Sequence, residues 1–371
     1  MKVSVLGGVA VMAAGVLLVG CGSDNDDNGS NKNVNYVSVD AVSGEKVFLD
    51  LSGGQTVAKD GSWDISYQKY KGYGLNGGDA GTGSVQGCVA MVYPGLYDAD
   101  GAPVVAEFEM LTAENTLADF NKVNSESCTD FESDLLHTQI AMDDWLSAAY
   151  GPAGPSFTAR DEPGNGWIIS SATLDASGSP EAYGRVRVAE VNYASSPVTR
   201  QLKFAVELWN SGTQAFDTET IATDFLDFTN GRAYWDMETN SAVTENDDWE
   251  LSVEAVGQSW NIQVNSGVSG EGQAHVGLIV IPEGSAFDVT DPTDLSQVYK
   301  WFNDSTDGAL SKPGNFGPMQ YNVHGTHDMV PTFSSYLVKD GDEVYKVQVL
   351  SNYGEDGKSA SGTLYIRYEM L

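Results

Sequence analysis

The chain has 371 residues, 52 of them Asp or Glu against 19 Lys or Arg, with a formal net charge of −33 at pH 7 and a pI near 4.1. Such a polyanion is repelled by phosphate backbones and anionic headgroups, which argues against nucleic acid as a partner. A length of about 340 residues beyond the first segment exceeds what one hydrophobic core usually serves, so two domains are expected.

Lys2 gives a short basic start, and the apolar run that follows ends in "LLVGC", with Cys21 as its last residue. This arrangement resembles a bacterial lipobox, so residues 1–20 are expected to be a lipoprotein signal peptide and Cys21 the lipidated first residue of the mature chain. The alternative, a single transmembrane anchor, lacks a basic stop-transfer flank. Gly22 rather than Asp after the cysteine resembles outer-membrane sorting; the leaflet stays open. Residues 21–35, rich in Gly, Asn and Asp, cannot bury enough apolar surface to fold and are expected to be a tether. Asp-rich turns such as "DADG" and "KDGDE" lack the ligand spacing of an EF-hand loop.

Beyond the tether, short runs rich in β-branched and aromatic residues ("KFAVELW", "HVGLIVI", "YKVQVLS", "GTLYIRY") are punctuated by Gly, Asn, Asp and Pro. This pattern predicts an all-β fold with many tight turns. Helix signals are confined to 114–124 and 294–302. Besides Cys21 the chain has Cys88 and Cys128. In an exported protein this pair is a disulfide candidate, two buried free thiols being the other reading. Their spacing and the few histidines do not suggest zinc.

The chain repeats itself. "KVFLDLSGGQTVAKDGSWDISY" (46–67) aligns without gaps on "RAYWDMETNSAVTENDDWELSV" (232–253), a displacement of 186 that carries Trp63 onto Trp249. "NGGDAGTG" (76–83) matches "NSGVSGEG" (265–272) at a displacement of 189. Nearer the end of each copy, 201–209 is set against 344–353, with Lys203 opposite Lys346. Two tandem domains, 36–213 and 214–371, follow from this alignment.

A strand ending in Trp249-Glu250-Leu251, the segment Asn265 to Gly272, and "YLVKDGDEVYKVQVLSNY" at 336–353 together resemble the HmuY family. The first copy keeps the opening motifs but has diverged at the closing one. The resemblance implies a β-rich outer-membrane lipoprotein that binds heme b and delivers it to a TonB-dependent receptor. It further implies iron ligands, His or Met, in the variable stretch before the closing motif. In this chain that stretch is "MQYNVHGTHDMVP" (319–331), which makes His324, His327 and Met319 the ligand candidates, with Met329 nearby. Trp301, Phe316 and Tyr321 are candidates for the apolar walls a porphyrin needs. His275, at a strand start, is read as structural. His137 and Met142 are the corresponding pair in the first copy.

Enzyme signatures are missing: there is no G-x-S-x-G, H-E-x-x-H or G-x-x-x-x-G-K-[ST] in the chain. A non-enzymatic binding protein is therefore expected. The alternative to heme is a surface module that binds a glycan or protein partner, or serves a structural role.

Overall fold

Along the strand Thr363–Met370, Leu364, Ile366 and Tyr368 recur at every second position, and all three enter one core. A period of two places such residues on one face of a pleated strand. The computed structural model describes residues 34–371 apart from Ala153 and Glu162, so the expected signal peptide, most of the expected tether and Cys21 lie outside the described residues. The architecture is all-β, with three α-helices of four to six residues among the described residues.

Two lobes share one plan. In the first, Asn35–Asp40, Thr363–Met370, Glu343–Ser351, Ser335–Asp340 and Gln86–Met91 form a five-stranded sheet in that order. A four-stranded sheet, Gln55–Val57, Val47–Asp50, Ile65–Gln68 and Gly72–Leu75, packs on it. Val39, Leu49, Ile65, Leu75, Tyr336, Val347 and Ile366, drawn from both sheets, share the core. In the second lobe the four-stranded sheet is Ser241–Val243, Ala233–Asp236, Leu251–Val256 and Ser259–Val264. It faces a larger sheet whose centre is Val198–Asn210, Tyr183–Ser195, Trp167–Ser170 and His275–Ile279. Trp167, Val186, Phe204, Trp235, Leu251 and Ile262 fill the space between.

The repeat seen in the sequence is a repeat of hydrogen bonds. Asp64 accepts from Leu51 N at 2.7 Å, and Glu250 accepts from Met237 N at 2.7 Å. Asn76 donates to Trp63 O at 2.9 Å and accepts from Gly83 N at 3.0 Å; Asn265 donates to Trp249 O at 2.8 Å and accepts from Gly272 N at 3.0 Å. The glycine-rich motif is thus a loop wound around one asparagine. A Cβ at Gly81 would lie 2.4 Å from Asn76 Oδ1, and one at Gly270 2.1 Å from Asn265 Oδ1.

The lobes, however, are not the repeats. After Asp134 the chain leaves the first lobe, and after Asp304 it returns. At the crossing, Leu135–His137 and Ser305–Asp307 pair antiparallel, His137 opposite Ser305. Asp134 Oδ2 accepts from Leu75 N and Asp304 Oδ2 from Val264 N, each at 2.9 Å. Each lobe therefore joins the opening half of one copy to the closing half of the other. The pairing of Asn35–Asp40 with Thr363–Met370, and of Gln86–Met91 with Ser335–Asp340, spans the expected division at 213/214. That division separates the copies but not the packed bodies.

The register also corrects one alignment. Arg185 stands opposite Glu207 and Lys346 opposite Glu369, with ion pairs at 2.6 and 2.9 Å. Arg185, not Lys203, is thus the counterpart of Lys346; Lys203 lies on Val198–Asn210, the partner strand. In the first lobe the outer sheet face is covered by the segment carrying helix Leu117–Lys122. Lys346 Nζ donates to Phe120 O and Val123 O at 3.2 and 3.3 Å, and Arg367 donates to Ala113 O and to Thr116 Oγ1. Lys346 thus lies at the C-terminal turn of this helix, where the dipole favours a cation.

Cys88 and Cys128 form a disulfide that pins this covering segment to the sheet. The expected helix at 294–302 is instead a turn followed by the strand Val298–Phe302. Its β-branched and aromatic residues pair with His275–Ile279.

Candidate functional site

The hairpin that carries His324 and His327 is short and well braced. Met319–Tyr321 pairs with Met329–Pro331, Tyr321 opposite Met329. Asn322, Gly325 and His327 take positive φ (62°, 74° and 60°) to turn the chain within seven residues. Asn322 N donates to Asp328 O at 2.6 Å, and Asn322 Oδ1 accepts from His327 N at 2.9 Å. Asn tolerates the left-handed region and bonds its own turn, which suits it to the first position.

Each imidazole has an orienting partner. His324 Nδ1 lies 2.5 Å from Asp328 Oδ2, and His327 Nδ1 lies 2.7 Å from Tyr321 Oη. The two partners impose different chemistry. Burial alone would push the Asp328 carboxyl up, but the hydrogen bond with His324 and other local bonds hold it below its ordinary value, so it is ionised at neutral pH. An ionised carboxylate only accepts, so Nδ1 of His324 is the donor of this pair, and in a neutral ring Nε2 is the nitrogen left with a lone pair. A tyrosine hydroxyl can donate or accept, which leaves the tautomer of His327 open to its surroundings. The nearest acid to His324 Nε2 is Glu109 Oε1 at 3.9 Å, on an exposed side chain. Beneath the loop, Val323 and Val330 pack with Tyr93, Tyr97, Phe108 and Leu111.

The other candidates are dispersed. Met319 is fully buried in the first lobe's core, where its thioether fills space, and Met329 joins it there. Phe316 and Tyr321 do meet, edge to face at 6.2 Å, at the margin of that core. Trp301 is elsewhere: it lies on Val298–Phe302 in the second lobe, 5.4 Å from the Tyr183 ring and packed on Ile168, Val289 and Val298. A strand paired to His275–Ile279 cannot also wall the 319–331 hairpin. His275 opens its strand, where its N–H donates to Ser170 Oγ, and burial lowers its pKa. His137 sits in the crossing pair, while Met142 Sδ accepts from Trp260 N at 3.2 Å, so these two form no site together.

Residue type and spacing alone do not single out Asp328 or Glu109. The first has a signal, an acid four positions after His324 across a Gly-containing turn. Glu109 has none, since only the fold brings it near. One acidic cluster could be mistaken for a metal centre: Asp236, Glu238 and Glu250 place carboxylate oxygens within 4.8 Å of one another. The carboxylate of Glu250 is already engaged by Ala172 N and Met237 N, and burial followed by the nearby Glu238 raises its pKa, so the two acids share a proton. In comparisons with known proteins, the chain matches no family model and no curated sequence.

Proposed function

We propose that this protein is a non-enzymatic, heme-binding surface lipoprotein of HmuY-like type, held to the outer membrane through Cys21 and supplying a TonB-dependent receptor. His324 is the iron ligand. The observation that carries the reading is the Asp328–His324 pair at 2.5 Å, which commits Nδ1 and frees Nε2. Metal-ligating histidines characteristically donate their other ring N–H to a carboxylate or carbonyl, which fixes the ring and raises its basicity. Heme iron accepts a neutral imidazole of this kind. Phe316, in the turn just before the hairpin, and Tyr321 on it offer apolar surface, whereas Met319 and Trp301 have no part in the site. His327, next to Tyr321, is suited to hydrogen-bond a group beside the iron rather than to share it.

The test is a visible-absorption titration of hemin into the full chain, with His324→Ala, His327→Ala and Asp328→Asn alongside. A Soret band saturating near one equivalent is expected, lost in His324→Ala and kept in His327→Ala. Asp328→Asn should weaken binding by about 10- to 100-fold. No band beyond that of free hemin, or one that His324→Ala retains, refutes the assignment. The remaining reading would then be a surface module for a glycan or protein partner without heme.

A further inference from the structure

Where the two lobes meet, the glycine-rich loops of the two copies face a cavity of 580 Å³. Lys46, Phe48, Lys59 and Gln68 line it from the first lobe, Glu271 and Gln273 from the second. A smaller recess shares Lys46, Gln68, Ala80, Gly267 and Val268 with it and runs on to Lys71 and Asn303. The volume lies in the range of about 300–1,000 Å³ typical of small-molecule sites. The cavity shares no residue with the 319–331 hairpin.

Its charges are unusual for this chain. Acids outnumber bases 52 to 19 overall, whereas the lining here sets three lysines against four acids, Glu45, Glu245, Glu271 and Asp304. Lys59 pairs with Glu271 from one lobe to the other, both side chains exposed. Such a pair contributes little to stability but ties the two walls together. The other two form no close ion pair of their own among the described residues. Lys46 Nζ has no hydrogen-bond or ion-pair partner among the described residues, and Lys71 Nζ meets a neutral amide, Asn303 Oδ1, at 2.6 Å. Burial, then the neighbouring Lys59, lowers the Lys46 pKa, and the Glu271 carboxylate, which Lys46 shares with Lys59, only partly offsets this.

Glu271 is shared between Lys59 and Lys46, and the other acids around the cavity do not add to it. Asp304 is occupied by Gln139 N and Val264 N, both at 2.9 Å. Glu45 and Glu245 line the cavity but stand exposed. The remaining polar lining is neutral: Gln68, Gln273, Thr82 and Ser269. An occupant is thus offered cations at the Lys46 end, amides and hydroxyls along its body, and repulsion against additional negative charge near Glu45 and Glu245.

We propose that the interlobe cavity binds a small saccharide bearing one acidic group, a carboxylate or a sulfate, with Lys46 and Lys71 holding the anion and the amide and hydroxyl groups holding the sugar body. Calorimetric titration of the full chain tests this with three disaccharides of similar size, one carrying a single uronate, one a single sulfate, and one neutral. At least one acidic probe is expected to bind at least tenfold more tightly than the neutral one; which of the two wins identifies the anion. Lys46→Met and Lys71→Met should each lower that affinity about tenfold or more, while Lys46→Arg retains most of it. Unfolding midpoints of the variants are compared with the parent to separate loss of site from loss of fold. Failure of both acidic probes to bind, equal binding of the neutral one, or undiminished binding by well-folded Lys46→Met overturns the proposal. Hemin titrations bear on the hairpin alone, so the two readings succeed or fail separately.

Discussion

Replacing Lys346 by methionine removes a cation from the most enclosed charge cluster of the first lobe. Its side chain is 0% exposed and that of its partner Glu369 5%, with Nζ 2.9 Å from Oε2. The same ammonium donates to Phe120 O and Val123 O and lies 4.6 Å from the Phe120 ring. Breaking a buried pair by deleting one partner costs about 3–5 kcal/mol, because the remaining charge is left in a poor solvent. For a body of this size that corresponds to a fall in Tm on the order of 10 °C. Neutralising the partner as well, in Lys346→Met/Glu369→Gln, should recover at least half of the loss. Scanning calorimetry supplies the midpoints, and tryptophan emission resolves the lobes: of the eight tryptophans, Trp63 belongs to the first lobe and the other seven to the second. The far-ultraviolet transition should move further than the tryptophan transition. A shift below about 2 °C for Lys346→Met would refute the view that this lysine holds the covering segment to the sheet.

The pH dependence should be opposite to ordinary acid denaturation between pH 5 and 8. Burial pushes Asp64, Asp134 and Asp304 up to about 6, so at pH 5 the folded protein holds protons that unfolded carboxyls have shed. Stability from these groups is full below about pH 4 and is lost as pH rises through 6, each worth at most about 3 kcal/mol. The Tm at pH 5 should exceed that at pH 7.5, and a Tm that rises with pH over this window contradicts the assignment. Removing the disulfide as Cys88→Ala/Cys128→Ala, which opens a loop 40 residues in separation, should cost about 4 kcal/mol in the chain-entropy model. Calorimetry should place that loss in the first lobe, and an unshifted transition would argue that the cover is held without it. Asn76→Ala and Asn265→Ala each delete a donor and an acceptor bond at equivalent loops. Each should therefore lose about 1–3 kcal/mol in chemical denaturation, and a large inequality would break the equivalence of the loops.

The strands were legible because alternation is a local property: Leu364, Ile366 and Tyr368 announce a buried face without any knowledge of its partner. The tandem was legible for the same reason, since Asn76 and Asn265 close their own loops. The exchange of halves was not. The chain crosses between lobes at Asp134 and Asp304, where no composition signal marks a crossing. At 294–302 the capping signal of Asp294 is real, its carboxylate accepting from Ser296 N, but it closes a turn and no helix follows. At the hairpin, the histidines could be found by residue type, and Asp328 stands within the same turn. The placement of Met319 in the core and of Trp301 in the other lobe depends on which sheet each strand joins, which no local pattern states.

The crossing also orders the making of the protein. The second lobe occupies one uninterrupted stretch, from Leu135 to Asp304, and every strand it needs is present once that stretch has been synthesised. The first lobe brackets it, with Asn35–Asp40 and Gln86–Met91 waiting for partners that come from the last few dozen residues. Whichever end of the chain becomes available first, these early strands keep open edges until the last strands join them. Pairings so distant along the chain close late and slowly. A chain halted before its final strand would thus present one finished body and one set of unsatisfied strands.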